Sequence, residues 1–204
     1  MTAPHDKKFL HAVLAAGAEY DAVKKIRSGF ASFEQAWRSG TAGLEHAGIS
    51  PELAGRIAAV RERTNPDEEM RKLVGQGIAL VAADEPEFPQ ELGEIAQPPF
   101  ALYIKGRLAG VVPRLAVVGT RKATAYGREA TRKIIRDLAD AADLCIVSGL
   151  AQGIDTAAHR TALDAGLCTI GILGSGMDRE SFFPPENWNL AEEITAGRGA
   201  VVSE

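Results

Sequence analysis

Two hydrophobic rhythms divide the chain. From Lys8 to about Arg63 apolar residues recur at helical spacing in short blocks, FLHAVLAAG, DAVKKIRSG, SFEQAWRSG, TAGLEHAG and SPELAGRIAAVRER, separated by Gly and Ser. Ser32, Thr41 and Ser50 are predicted helix N-caps, because a side-chain oxygen there accepts from an orphan amide of the first turn. Pro51 then takes the favoured first helical position. The pattern predicts a small all-helical domain over residues 1–65, and TNPDEE starts a further helix.

From Gly77 the period changes. GIALVAADE and ALYIKGRL read as strands around a Pro-rich connection. A regular series follows: LAVVGT strand, ATAYGREATRKIIRDLADA helix, DLCIVSG strand, GIDTAAHRTALDAG helix, CTIGILGSG strand, NLAEEITAG helix and GAVVSE strand. Apolar runs without alternation mean strands covered on both faces. Strand and helix taking turns means a parallel sheet with right-handed crossovers. The predicted fold class is α/β, an open and mostly parallel sheet over residues 66–204 behind the helical domain.

Composition changes this picture little. The chain of 204 residues is 46% hydrophobic with a net charge of -4, which excludes wholesale disorder. No apolar run has the length of a membrane span, and MTAPHDKK lacks the apolar core of a secretory signal, so a cytoplasmic protein is expected. Cys145 and Cys168 lie in apolar strand-like runs and read as buried free thiols. Charge is unevenly placed: from Lys105 to Arg136 nine Lys or Arg stand against one Glu, net +8, with -12 on the remainder. Within that segment Arg128, Arg132, Lys133 and Arg136 read as the solvated face of a helix.

All strand ends of a parallel sheet lie on one edge, where ligands meet helix N-termini. Here those ends are Gly119-Thr120-Arg121-Lys122, Ser148 to Gly153, and Gly174-Ser175-Gly176. Three glycine-bearing turns with an arginine describe an anion site, most naturally for phosphate. A nicotinamide fold would need G-x-G-x-x-G and a phosphate-loop ATPase G-x-x-x-x-G-K-[ST]; neither occurs, and no cofactor or metal is expected. Ser148, Asp155 and His159 suggest a hydrolase triad, but the G-x-S-x-G elbow is missing. Asp155 is more simply a cap, with His159 bonded to it. Arg160 can face the same edge or solvent. Tyr126, Phe182, Phe183 and Trp188 stand near the turns, where rings stack on bases, although Phe182 and Phe183 fit equally as cover for the sheet end.

The ordered set GTRKATAYG, SGLAQGIDTAAH, ILGSGMD and FPPEN…L resembles the DprA/Smf family of DNA-processing proteins, and DEPEFPQELGEIAQPPFALYIKG resembles the stretch preceding its fold. The resemblance implies an extended Rossmann-like sheet, here without the C-terminal part of the family's sheet, behind a small domain of SAM or helix-hairpin-helix type. It implies a non-enzymatic, homodimeric protein of bacterial transformation that binds single-stranded DNA without sequence preference and hands it to a RecA-type recombinase. Arg121 matches the family's phosphate-binding arginine, with Thr120 and Lys122 beside it. Gly119, Ser148, Gly149, Gly153 and Asp155 match the pocket-forming loops, Gly174 stands with them as part of the third turn, and Asn187 matches the family's Y-P-x-x-N motif, where Phe183 replaces tyrosine. Relatives often carry a basic residue after that asparagine; here Trp188-Asn189 follow. The alternative from another class is a nucleotide-processing enzyme of phosphoribohydrolase type, whose P-G-G-x-G-T-x-x-E string is absent.

Overall fold

The computed structural model describes residues 5–108, 110 and 112–204. Five short helices come first: α1 (Lys7–Ala15), α2 (Tyr20–Gly29), α3 (Phe33–Arg38), α4 (Thr41–His46) and α5 (Pro51–Arg63). Ser32 accepts from the Gln35 amide and Ser50 from the Leu53 amide, as their positions predict. Thr41 is instead the first residue inside α4, and Gly40 takes the cap position. Glycine serves there without a side-chain bond.

A cap that sequence spacing does not reveal comes from outside α3. The buried carboxylate of Asp6 accepts from the Phe33 amide at 3.0 Å and the Glu34 amide at 2.8 Å. Asp6→Ala leaves two amides without an acceptor, and urea unfolding is expected to register a loss of about 2 kcal/mol, recovered only in part by Asp6→Asn, which keeps one acceptor oxygen.

The chain continues through α6 (Pro66–Gly75), β1 (Ile78–Ala82), β2 (Ala101–Gly106), β3 (Arg114–Ala116), α7 (Ala125–Ala141), β4 (Cys145–Ser148), α8 (Ile154–Asp164), β5 (Cys168–Ile172), α9 (Trp188–Ala196) and β6 (Ala200–Ser203). The six strands form one sheet in the order β1-β2-β6-β5-β4-β3. β3 to β6 run parallel, and β2 joins β6 antiparallel. The fold is thus a mostly parallel α/β sheet, as predicted. The chain divides into two compact units, residues 1–102 and 103–204. The first includes residues beyond 65, since α6 packs along α1 and β1 packs on both.

In the second unit α7 and α8 share a cluster around Ile135, Ile146, Ala158 and Ala162, while α9 closes another around Leu150, Phe182, Leu190 and Val201. Small residues on the inner face of α8, Ala157, Ala158 and Ala162, let it sit close to the strands.

Two expectations are corrected. LAVVGT is a strand only over Arg114–Ala116, with one further rung from the Val117 amide to the Val147 carbonyl, and all three strand residues are exposed. As an edge strand it has one neighbour, so coverage on both faces does not hold there, and Val118 is 78% exposed. Cys145 and Cys168 are not free thiols. They are register partners on β4 and β5, their Cα atoms 4.4 Å apart, and are joined as a disulfide. Parallel pairing brings together side chains 23 residues apart in sequence.

Candidate functional site

Parallel strands β3, β4 and β5 deliver three turns to one rim, and the first two interlock. Gly153 has φ +86°, and a Cβ on it would lie 2.2 Å from the Thr120 carbonyl oxygen. The next amide, of Ile154, donates to that same oxygen at 3.2 Å. Gly119 completes the contact from the other side, since a Cβ there would meet Ile154 at 2.5 Å. Only glycine permits the approach of backbone to backbone at Gly153 and the close seat of the Ile154 side chain on Gly119. Thr124 then starts α7 by accepting from the Gly127 amide.

The second turn is held from beneath. Leu150 takes a left-handed conformation, φ +54°, while wholly buried, an arrangement that survives only where the surroundings impose it. Asp155 Oδ2 accepts from the Gly149 and Ala151 amides at 3.1 and 3.3 Å. Asn187 Nδ2 donates to the carbonyls of Leu150 and Ala151 and to Thr156 Oγ1. Both side chains are buried, and Asp155 Oδ2 and Asn187 Nδ2 are engaged with the turn, so they shape the loop.

The expected bond between His159 and Asp155 is absent; His159 Nδ1 lies 2.7 Å from Thr169 Oγ1. Since Thr169 donates to the Ile146 carbonyl, the imidazole donates through Nδ1. Ser148 donates its hydroxyl to the Val117 carbonyl at 2.6 Å. No relay of serine, histidine and aspartate forms from these three. Burial pushes the His159 pKa down to about 4, with only partial compensation from the backbone at Ser148.

The third turn folds back on itself. Ser175 Oγ accepts from the Phe183 amide, and Ser203 at the end of β6 donates to the Ser175 carbonyl. This splits the adjacent phenylalanines: Phe182 is buried, edge-on to Trp188, whereas Phe183 is 61% exposed. The Arg179 guanidinium lies 5.1 Å from the Trp188 ring centroid and has no ion pair among the described residues.

A cleft of about 200 Å³ opens where the turns meet, lined by Arg121, Gly149, Ala151, Gln152, Gly174, Ser175, Phe183 and Pro184. Of the residues singled out from sequence, the fold brings Arg121, Gly149, Gly174 and Phe183 to this lining. Gly119, Thr120, Ser148, Gly153, Asp155 and Asn187 build the turns behind it. Lys122 stands beside Arg121, outside the lining; both are exposed and without an ion pair among the described residues. Arg160 is committed elsewhere, to an ion pair with Glu193 that depresses the carboxyl and raises the guanidinium. Sequence reasoning placed Gln152 and Ser175 in the turns without giving either a role of its own, and it missed Arg179. Gln152 and Gly174 lie between glycine turns and keep amides without an internal partner among the described residues. The lining holds no carboxylate, so its electrostatic character is that of Arg121 and open N–H groups.

The chain is similar in sequence and fold to known proteins. Residues 79–204 match the family model for DNA recombination-mediator protein A. Protein Smf of Synechocystis sp. is 35% identical over 188 residues, covering 89% of this chain and 46% of the relative. The DNA processing protein DprA of Streptococcus pneumoniae is 43% identical over 108 residues, covering 52% of this chain and 37% of the relative. The chain therefore spans less than half the length of these curated relatives. The X-ray structure of DprA from Streptococcus pneumoniae superposes with a TM-score of 0.73 at 26% identity, over 100% of this chain and 68% of that one. A DprA structure from Helicobacter pylori, described for its single-stranded DNA binding mode, matches with a TM-score of 0.50 at 28% identity, over 62% and 54% of the two chains. With more than half of its residues under the family model and the sheet shared with a solved member, the chain belongs to the DNA recombination-mediator protein A family, DprA/Smf.

Proposed function

We propose that this chain binds single-stranded DNA without sequence preference, with a backbone phosphate at Arg121 and a base against Phe183. The observation that carries this is a single cleft in which an exposed, unpaired guanidinium, open backbone amides and an exposed aromatic ring converge. A guanidinium supplies paired donors to phosphate oxygens. A ring offers every base the same π-face, which gives affinity without sequence readout. At about 200 Å³ the cleft suits a segment of a polymer better than an enclosed dinucleotide cofactor. Arg179, over the Trp188 ring, is a second cation available to the strand in place of a basic residue after Asn187.

In this reading the chain acts in DNA processing during natural transformation, in the cytoplasm, as a homodimer that passes the strand to a RecA-type recombinase. The names of the relatives support the DNA-processing role. The exposed β3 edge, with Leu115 on it and Val118 just beyond its end, supports self-association. Among the described residues no helix is long and apolar enough to cross a membrane.

Fluorescence anisotropy with labelled oligo-dT tests the site. Arg121→Ala is expected to weaken binding about tenfold, equally across homopolymer sequences, and to reduce the slope of log affinity against log salt by about 0.7. Phe183→Ala is expected to cost about 1–3 kcal/mol with the salt slope unchanged, because it removes stacking and no charge. Tighter binding to duplex, or wild-type affinity in Arg121→Ala, would contradict the proposal.

A further inference from the structure

The first unit carries a cleft of about 370 Å³ lined by Tyr20, Lys24, Arg27, Pro98, Pro99 and Phe100, among others. Tyr20, Lys24 and Arg27 lie four and three residues apart on α2, which puts them on one helix face. Across from them Phe100 follows two prolines whose fixed φ holds the approach to β2 extended. The Tyr20 and Phe100 ring centroids are 5.2 Å apart with the planes tilted by 35°. Arg27 Cζ stands 5.9 Å from the Phe100 centroid.

Charge sets this cleft apart from the rest of its unit. Elsewhere in the unit Lys7 pairs with Glu85, Lys8 with Asp67, Arg38 with Glu34, Arg56 with Glu52 and Lys72 with Glu69, while Lys25, Arg61 and Arg63 donate to backbone carbonyls. Lys24 and Arg27 are exposed and have no carboxylate partner among the described residues, and no carboxylate lines the cleft. An aromatic pair beside two uncompensated cations is complementary to a base joined to a phosphate. The volume accommodates one nucleotide.

We infer that this cleft is a second contact for single-stranded nucleic acid, holding one nucleotide with its base against Tyr20 and Phe100 and its phosphate at Lys24 and Arg27. The inference rests on the reading that the chain binds such a strand, but it uses a different unit and different residues.

The test uses the full chain and oligo-dT in which bromodeoxyuridine replaces thymidine. Irradiation followed by mass spectrometry of the peptides is expected to place a crosslink at Tyr20 or Phe100, in the wild type and equally in Arg121→Ala at saturating oligonucleotide. The exposed double substitution Lys24→Ala with Arg27→Ala is expected to weaken binding about five- to tenfold and to lower the salt slope by about 1.4. Unchanged affinity in that variant with no crosslink at residues 20 or 100 overturns the inference, and a loss in Arg121→Ala in the same series leaves the cleft around Arg121 standing. Weakened binding in the double variant with crosslinks at Tyr20 or Phe100, beside wild-type affinity in Arg121→Ala, supports this contact and overturns the placement of the phosphate at Arg121.

Discussion

Gly153→Ala is expected to destabilise the protein by about 3 kcal/mol or more and to abolish binding of oligo-dT at concentrations where Arg121→Ala still binds. Two independent costs combine. At φ +86° and ψ -117° the backbone occupies a region that side-chain-bearing residues avoid. The added methyl would also sit 2.2 Å from the Thr120 carbonyl oxygen and 2.7 Å from that of Arg121. Relief requires the first and second turns to part, which moves Arg121 away from Gly149 and Gly174. Gly166 provides the control, for it has φ +70° but nothing within 4 Å of the place an added methyl would take. Gly166→Ala should cost about 1 kcal/mol and leave binding intact. Thermal melts and anisotropy on the two variants decide the matter. Equal small losses in both would show that the contact between turns carries no special weight.

The second large effect is on pH dependence. His159 is wholly buried and its pKa is depressed to about 4, against about 6.5 for an imidazole in the unfolded chain. Between those values the unfolded chain binds a proton that the folded chain refuses. Stability from this group is therefore complete above about pH 6.5, declines as the pH falls and levels off below about 4, a span on the order of 3 kcal/mol. His11, also held low by burial against the opposing pull of Glu69, acts in the same direction. Urea midpoints measured from pH 7 to pH 4 in the wild type and in His159→Gln separate the two, because only the His159 share disappears in the variant. An unchanged slope in the variant would mean that this imidazole does not titrate as its burial requires.

Much of the site was legible before folding. The glycine turns could be placed because strand and helix periods are local properties of the chain and mark where each strand must end. Arg121 stood out because two adjacent cations follow directly on the apolar run LAVVGT, although that run folds as an exposed edge strand. The roles of Asp155 and Asn187 were not legible. Both sit in the right motif, yet their polar atoms turn inward, and Asn187 meets Leu150 across 37 residues of sequence. Arg160 is equally ambiguous in sequence, since its neutralising partner Glu193 lies 33 residues away on another helix.

Periodicity and turn chemistry alone determined the α/β alternation, the helical start of the chain and the rim on which the glycine turns gather, because these follow from backbone sterics and short-range spacing. Tertiary packing decided which of two neighbouring phenylalanines faces water, which arginines remain unpaired, that two cysteines meet across β4 and β5, and that β3 lies at an edge. Each of those outcomes depends on a partner remote in sequence, and burial or charge compensation exists only once the partner has arrived.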